Sequence, residues 1–419
     1  MGSEHRSQRL RPQDLVELCG YYANLEEPEF GRNAGPDRLR HVFNHFAYEQ
    51  FGYQMSEMES IGRTLVLLSD HSLGCSGAPS VDDWRAALGV TLEEFMRIGF
   101  LINAAALAHR GSIDRGILKK DVLSVIFAPL KSDHVLDTID RWFAASLDEL
   151  RVAGRRSEVS GAERWSLSPL VGKPVVALPD GRYVIPWPRL VLDRITPTGL
   201  YHIGRDAFGP IFPDALGTMF QNYVGSQLAL LRYASVRPEI VYGKSSSRSV
   251  DYFIVTPDVV VLVEVKAARP IWATRLGDPL GDEDTAKKVG YAFTQIERTA
   301  GHIRSCHPAF STIPADRPLR GLVVTLEPFH LVNSSFYSDV LVQSSIPITV
   351  ASSLELEGTV AALLSASDTG ARLHDALTPE GPGKATDLRK AAEGLANKPN
   401  PPLDEAWQQF IKPLSEQRG

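Results

Sequence analysis

The chain has 419 residues, more than one ordinary hydrophobic core organises, so two or three domains are expected. Hydrophobic residues make up 43% and charged residues 22%, as in a water-soluble globular protein, and the net charge of −6 argues against a protein that holds duplex DNA mainly through a basic surface. The polar N-terminus lacks a signal core, and no apolar run reaches the roughly 18–20 residues that cross a bilayer. With three scattered cysteines and no disulfide pattern, the sequence predicts a cytoplasmic protein without membrane association.

Residues 1–155 are predicted to form an all-helical N-terminal domain. The segments DRLRHVFNHFAYEQF and TLEEFMRIGFLINAAALAHRG place apolar residues three and four positions apart, which is the period of an amphipathic helix. Thr91 is a suitable N-cap for the second segment, and Gly111 stands where that helix would stop. This part carries no catalytic motif, so we interpret it as a scaffold or as the surface that binds a protein partner.

The next segment, residues 156–212, is predicted to be a β-hairpin connector. In KPVVALPDGRYVIPWPRL, β-branched and aromatic residues alternate on both sides of Asp180-Gly181, and this dipeptide favours a tight turn. We expect the hairpin to pack between the two larger parts of the chain.

Residues 213–365 carry the pattern of an α/β domain, in which a helix, three strands, a second helix and a further strand follow one another. The domain opens with the amphipathic segment PDALGTMFQNYVGSQLALLRYA, and LRGLVVTLEP is expected to be an interior strand. In residues 366–419 proline, glycine and charged residues dominate, which predicts a tail with one docked helix around Trp407 and Phe410.

The functional prediction depends on the stretch SVDYFIVTPDVVVLVEVK, residues 249–266. Its second half is apolar on both faces, which indicates a central strand, yet it ends in Glu264-Val265-Lys266. Because residues two apart in a strand share a face, Glu264 and Lys266 are expected to point the same way. A carboxylate and an ammonium that are buried together need further partners from elsewhere in the fold.

The hairpin register supplies such a partner. If the turn is Thr256–Val259, Val255 pairs with Val260, and counting back places Asp251 opposite Glu264. A change of one residue in the register would send Asp251 to the other face. The sequence therefore predicts that two carboxylates and one lysine meet at one end of the hairpin.

Two carboxylates brought together repel each other unless a cation lies between them. Mg²⁺, or Mn²⁺ in its place, takes oxygen ligands and commonly uses one or two carboxylates together with a substrate phosphate. Asp251 and Glu264 are the candidate ligands, and the backbone carbonyl of Val265 offers another oxygen. Lys266 would add a positive charge where negative charge develops on a phosphate. This combination is typical of phosphodiester hydrolysis.

Asp251, twelve intervening residues, and then Glu264-Val265-Lys266 together resemble the motif of the PD-(D/E)XK nuclease superfamily, the restriction-endonuclease-like fold. The predicted αβββαβ order is similar to the core of that family, and the resemblance covers roughly residues 213–355. It implies Mg²⁺-dependent cleavage of DNA, with the Asp and the Glu as metal ligands and the Lys in the active site.

Further residues correspond to positions that such nucleases use or that precede the site. Gln221 stands on the helix before the first strand, where many members carry an acid, and its neutral side chain implies fewer protein ligands for the metal. Gln295, on the helix after the Lys-bearing strand, is expected to take part in catalysis. It lies on a polar stripe with Lys288 that could face the site. Gln221, Lys244, Arg248 and Lys288 are candidate contacts to nucleic acid, and a solvated loop is the alternative interpretation for the segment that holds Lys244 and Arg248.

Three interpretations stay open from the sequence. The first is a metal-dependent endonuclease that acts on DNA in bacterial restriction, antiviral defence or DNA processing. The second is a catalytically degenerate nuclease fold that binds nucleic acid or protein without cutting, favoured by Gln221 and the acidic overall charge. The third is a helical interaction protein with an unrelated α/β domain. RNA as the substrate, the specificity of the cut and pairing as a homodimer are also open.

Overall fold

The computed structural model describes residues 11–24, 36–51, 57–69, 74–116, 132–157, 166–271, 274–275, 280–381 and 384–415. The helices of these residues are α1 (Pro12–Ala23), α2 (Pro36–Phe51), α3 (Glu57–Leu68), α4 (Val81–Leu88), α5 (Leu92–Ala108), α6 (Ser132–Thr138), α7 (Leu147–Ser157), α8 (Pro188–Arg194), α9 (Pro197–Phe208), α10 (Ile211–Leu228), α11 (Leu280–Arg304), α12 (Ser353–Leu363), α13 (Thr369–Ala376) and α14 (Pro401–Ser415). The strands are β1 (Ser112–Asp114), β2 (Ala144–Ser146), β3 (Val175–Ala177), β4 (Arg182–Val184), β5 (Ser235–Pro238), β6 (Val241–Tyr242), β7 (Ser247–Arg248), β8 (Tyr252–Val255), β9 (Val260–Lys266), β10 (Leu319–Thr325) and β11 (Ile348–Ser352). The chain is therefore a mixed α/β protein with a mainly helical N-terminal region.

A five-stranded mixed sheet forms the centre, in the order β11-β10-β9-β8-β5. Strand β10 runs parallel to β9 and to β11, whereas β8 is antiparallel to both β9 and β5. Helix α10 packs on one face of β9 and helix α11 on the other, so the valines of β9 are buried on both sides. This two-sided burial explains why β9 has an almost unbroken apolar sequence.

The predicted hairpin connector lies within a second, four-stranded sheet of order β1-β4-β3-β2. Its turn is the predicted one, and Gly181 adopts a φ of +83°, which a glycine tolerates best. The expectation of an all-helical N-terminal domain is corrected here, because β1 and β2 come from that region. Both strands have three residues, too few to show the alternation that identifies a strand in a sequence.

A buried ion pair joins the N-terminal helices to the central sheet. Arg63 of α3 donates from Nε and Nη2 to the two carboxylate oxygens of Glu357 on α12, both at 2.6 Å. The hydroxyl of Tyr223 on α10 donates to the same carboxylate at 2.5 Å. Burial of these groups stabilises the fold only while each has its partners, so this contact fixes α3 against the sheet domain.

The C-terminal residues pack on the rest of the chain. The predicted docked helix around Trp407 and Phe410 is α14, and it lies along α3. A Cβ at Gly62 of α3 would come within 2.6 Å of the carbonyl oxygen of Leu403, so this close approach needs a glycine. Helix α13 and a short 3₁₀ helix, Leu388–Ala392, also bury apolar side chains. The expectation of a tail is therefore corrected, because a proline-rich and glycine-rich composition marked the connections and not the packed helices between them.

Across the described part of the chain, no helix combines the length and the apolar character that a bilayer span needs.

Candidate active site

The predicted register of the β8–β9 hairpin is confirmed. Val255 pairs with Val260, and Phe253 pairs with Leu262. Tyr252 and Val263 form the last pair of the ladder, and continuing the same register by one position sets Asp251 opposite Glu264. The Val255, Val260, Phe253 and Leu262 side chains all belong to the apolar cluster under α11, which places Glu264 on that same face by the alternation of β9. Asp251 precedes β8, so its place is given by its own contact with the end of β9.

Asp251 is held directly against the end of β9. Its Oδ2 accepts a hydrogen bond of 2.7 Å from the backbone N–H of Val265. Burial raises the pKa of Asp251 to about 6, and the charge of Glu239 adds to this, whereas the Val265 N–H, Lys266 and Arg248 act in the opposite direction. Asp251 is therefore ionised at neutral pH, with a strengthened affinity for protons and cations.

Glu264 is buried almost completely, with 1% of its surface exposed. Its Oε1 accepts a 2.6 Å hydrogen bond from Lys266 Nζ, but its Oε2 has no hydrogen-bond partner among the described residues. Burial raises the pKa of Glu264 to about 8, with the charge of Asp251 acting in the same direction, whereas Lys266 and the backbone N–H of Asp251 only partly oppose these effects. A buried carboxylate oxygen without a partner is costly, and it is a feature of sites that bind a cation or a proton.

Lys266 connects this buried carboxylate to the surface. Its side chain is 27% exposed, and its Nζ lies 5.1 Å from the centroid of the Tyr291 ring on α11. The ammonium therefore forms a bridge between Glu264 and solvent, with an aromatic face beside it.

These residues lie at the base of a cleft of about 650 Å³ between the first halves of α10 and α11, at the carboxyl end of β9. The residues that line it are Pro213, Asp214, Gly217, Thr218, Gln221, Asp251, Val265, Lys266, Ala267, Ala268, Asp284, Lys287, Lys288 and Tyr291. Glu264 is not in this lining, because it lies beneath Lys266. The sequence analysis missed Asp214, although its spacing of seven residues from Gln221 places both on one face of α10.

Gln221 and Lys288 face the cleft as predicted. The backbone carbonyl of Gln221 accepts a hydrogen bond of 3.0 Å from the Tyr252 hydroxyl, which fixes α10 against β8. Lys288 Nζ lies 2.8 Å from Asp284 Oδ2 and donates to the carbonyl of Arg269 at 3.0 Å. The backbone of Gln221 and the side chain of Lys288 are thus held on the cleft walls by these contacts.

Gln295 does not lie in the cleft formed by the described residues, so its predicted catalytic position is corrected. Its Nε2 donates a 2.7 Å hydrogen bond to the carbonyl of Ser249, two residues before Asp251. Arg298 makes a similar contact to the carbonyl of Arg248. These two side chains hold the segment that leads into Asp251 and β8.

Lys244 and Arg248 also lie outside the described cleft lining. Lys244 is exposed in the turn between β6 and β7. Arg248 donates from Nη1 to Glu239 Oε2 at 3.0 Å. These two residues could therefore contact phosphates only of a nucleic-acid strand that extends beyond the cleft.

The residues present fit a hard divalent cation with few protein ligands. Within the described ranges, no group of three His, Cys, Asp or Glu side chains could hold a metal ion. The two carboxylates of Asp251 and Glu264, one with an unpartnered oxygen, and the carbonyl of Val265 remain as donors. Mg²⁺ requires no more than this, because it retains several waters and takes further ligands from substrate phosphates.

Comparison with protein-family models yields no match for this chain, and neither does comparison with curated proteins. The resemblance to a nuclease family therefore depends on the motif and on the geometry described above.

Proposed function

We propose that the protein is a Mg²⁺-dependent or Mn²⁺-dependent nuclease of the PD-(D/E)XK type that hydrolyses phosphodiester bonds of DNA. The observation that carries this proposal is the buried Glu264, with one unpartnered oxygen, next to Asp251 and Lys266 at the base of an open cleft. A structural ion pair would satisfy both oxygens of a buried carboxylate, and this one does not.

The order of elements supports the proposal. The elements of the central sheet follow the order α10, β5, β8, β9, α11 and β10, with the separate β6–β7 pair inserted between β5 and β8. The three strands are antiparallel neighbours, and β10 lies parallel to β9. This order supports the proposed αβββαβ core, to which the β6–β7 pair, β11 and the N-terminal helices are additional.

Each residue of the site has a role in this chemistry. Asp251, Glu264 and the carbonyl of Val265 would hold the divalent cation, which when bound polarises the phosphate and promotes attack by water. The backbone N–H of Val265 orients Asp251, and burial keeps Glu264 ready to exchange its proton for a cation. Lys266 places its ammonium at the cleft, where it stabilises negative charge that develops on the phosphate.

The cleft walls supply contacts for the strand. Lys287 and Lys288 on α11 offer charge for phosphate oxygens, and Gln221 and Thr218 on α10 offer neutral donors. None of these side chains distinguishes deoxyribose from ribose, so DNA is proposed from the family resemblance, and RNA is a second substrate to test. A role in bacterial restriction, antiviral defence or DNA processing and pairing as a homodimer are proposed on the same basis, and location in the cytoplasm is proposed from the scattered cysteines.

A second candidate function is a degenerate nuclease fold that binds nucleic acid without cutting it. Gln221 favours this alternative, because it removes the acid that many family members carry on the equivalent helix. Asp214 works against it, since it brings a carboxylate into the same cleft from two turns earlier on α10.

Plasmid DNA incubated with Mg²⁺ or Mn²⁺ separates the two functions. We expect wild type and the control Lys384→Met to nick or linearise the plasmid, whereas Lys266→Met and Asp251→Asn leave it supercoiled. Lys384 is exposed and lies outside the cleft, so the control removes the same charge without touching the site. Intact plasmid with the wild type, together with a retained gel shift, would favour the binding module and contradict the nuclease.

A further inference from the structure

A second chamber, of about 600 Å³, adjoins the cleft on the side of α8 and α9. The two spaces share Pro213, Ala267, Ala268 and Lys288 as lining residues, so a ligand in the cleft could extend into the chamber. Its volume is within the range of about 300–1,000 Å³ that is typical of small-molecule sites. The nuclease mechanism above makes no use of this space.

Cationic side chains dominate the charged groups of the chamber wall. They are Arg194, Arg205, Arg269, Arg275 and Lys288. The acid in the lining, Asp193, already accepts a hydrogen bond from Arg189 at 3.2 Å. Glu327 binds Arg275 and lies 3.9 Å from Arg269, which neutralises part of the charge. Lys288 pairs with Asp284 at 2.8 Å, and Arg205 lies 3.8 Å from Asp206. The positive charge that remains after these pairs is centred on Arg194 and on the two arginines that share Glu327.

Arg194 is the clearest case of this excess. Its Nε is buried and has no hydrogen-bond partner among the described residues. Burial lowers the pKa of Arg194 to about 10, and Asp206 is the charge that opposes this effect. The guanidinium stays protonated at neutral pH and has donors to offer, which is a costly arrangement unless an anionic group joins it.

The remaining wall is apolar and aromatic. The guanidinium carbon of Arg269 lies 3.3 Å from the centroid of the Tyr201 ring, so the two planar groups are stacked. Leu167, Val171 and Ile271 contribute aliphatic surface beside them. Arginines recognise phosphate oxygens in a planar, bidentate way, and aromatic or stacked guanidinium surfaces accept nucleobases.

We propose that this chamber binds a nucleoside phosphate, with the phosphate at Arg194 and Arg269 and the base against the apolar and aromatic wall. The ligand is either one nucleotide of the strand that occupies the cleft or a free nucleotide. The first source rests on the proposed nuclease function, and the second does not.

Fluorescence anisotropy tests this inference with two probes, a labelled deoxyadenosine 5′-monophosphate and a labelled single-stranded oligonucleotide. The measurements use the full chain carrying Glu264→Gln, so that the oligonucleotide is not cut. We expect Arg194→Gln and Arg269→Gln each to weaken binding about tenfold, and Arg194→Lys to retain part of the affinity because it keeps the charge. The control Arg151→Gln removes the same charge from an exposed position on α7 and should leave binding unchanged. Thermal unfolding of every variant checks that the chain is folded.

The outcomes separate the two sources and the two proposals. Weakened binding of both probes supports the nucleotide of a bound strand, and weakened binding of the mononucleotide alone supports a free nucleotide. Equal binding by wild type and both arginine variants, or no binding of either probe to folded protein, refutes the proposal that the chamber binds a nucleotide. If wild type does not cut plasmid but binds nucleotide through Arg194, the nuclease proposal fails while the chamber stands. If the wild type cuts plasmid but binds nucleotide independently of Arg194, the proposed nucleotide site is refuted and the nuclease proposal is not.

Discussion

Mg²⁺ binding at Asp251 and Glu264 is expected to release about one proton at pH 7. With a pKa of about 8, the buried carboxyl of Glu264 is roughly nine-tenths protonated at that pH, whereas Asp251, with a pKa of about 6, is roughly one-tenth protonated. Because a metal binds only the ionised carboxylates, both protons must leave, and the sum is about one. The affinity for Mg²⁺ should therefore rise about tenfold between pH 6.5 and pH 7.5.

Isothermal titration calorimetry in two buffers of different ionisation enthalpy, such as MOPS and Tris, counts the released protons. We expect Glu264→Gln to lose the proton release together with most of the affinity. Asp258→Asn is a matched control, because Asp258 lies in the turn at the far end of the same hairpin. Tight binding by the wild type without proton release would show that Glu264 is already ionised and would refute the reasoning from burial.

The same carboxyl sets the pH dependence of stability without a metal. The pKa of Glu264 rises from 4.5 to about 8 in the folded chain, and at ~1.4 kcal/mol per pKa unit its ionisation costs roughly 5 kcal/mol. The folded state binds this proton more tightly than the unfolded chain does. The protonated Glu264 therefore contributes its full stabilisation of the folded state below pH 4.5, and this stabilisation is lost as the pH rises toward 8. Urea unfolding at several pH values should show this decline in wild type and a flatter profile in Glu264→Gln.

Three further variants test separate parts of the structure. Asp214→Asn should weaken Mg²⁺ binding about threefold to tenfold in calorimetry, because it removes a carboxylate from the cleft, and an unchanged affinity would remove Asp214 from the site. Gln295→Leu should lower the free energy of unfolding by about 1 kcal/mol and lower kcat, since the carbonyl of Ser249 loses its donor; a fall in stability alone would deny it a positioning role. Arg63→Met should destabilise by about 3–5 kcal/mol in urea, and adding Glu357→Leu should recover much of that loss; no recovery would contradict a cost that arises from the unpaired carboxylate.

The hairpin of the site could be predicted because its information is local. The turn at Thr256–Val259 fixes the register, and the register fixes which face Asp251 shares with Glu264. An apolar run on both faces indicated that β9 is interior, and its neighbours β8 and β10 cover both edges. Few other segments of the chain carry turn, period and burial signals that agree in this way.

The position of Gln295 could not be derived from helical periodicity. Period places Lys288, Tyr291 and Gln295 on one stripe of α11, but a helix rises about 1.5 Å per residue, so the stripe is longer than the cleft. Lys288 and Tyr291 therefore lie beside the end of β9, whereas Gln295 lies beside the start of β8. Helical periodicity predicts which face of α11 a side chain occupies. Its position along the helix axis relative to the cleft depends on the tertiary packing.

Contacts between segments that are far apart along the chain could not be predicted from the sequence either. Arg63 and Glu357 are 294 positions apart, and nothing near either residue indicates its partner. The short strands β1 and β2 likewise gain their identity from pairing with β4 and β3. In both cases the stabilising interaction depends on the fold as a whole, which local propensity does not encode.

The distribution of charge is more informative about nucleic-acid binding than the net charge of −6. Three lysines and three aspartates line the cleft, so its wall is close to neutral before any cation binds. A divalent cation at Glu264 and Asp251 displaces about one proton and leaves the cleft with a net gain of about one positive charge. Attraction for a phosphate backbone in the cleft should therefore depend on the metal. The arginines of the adjoining chamber carry their charge without the metal, so under the two proposals strand binding at the chamber should persist in EDTA whereas cutting should require the metal.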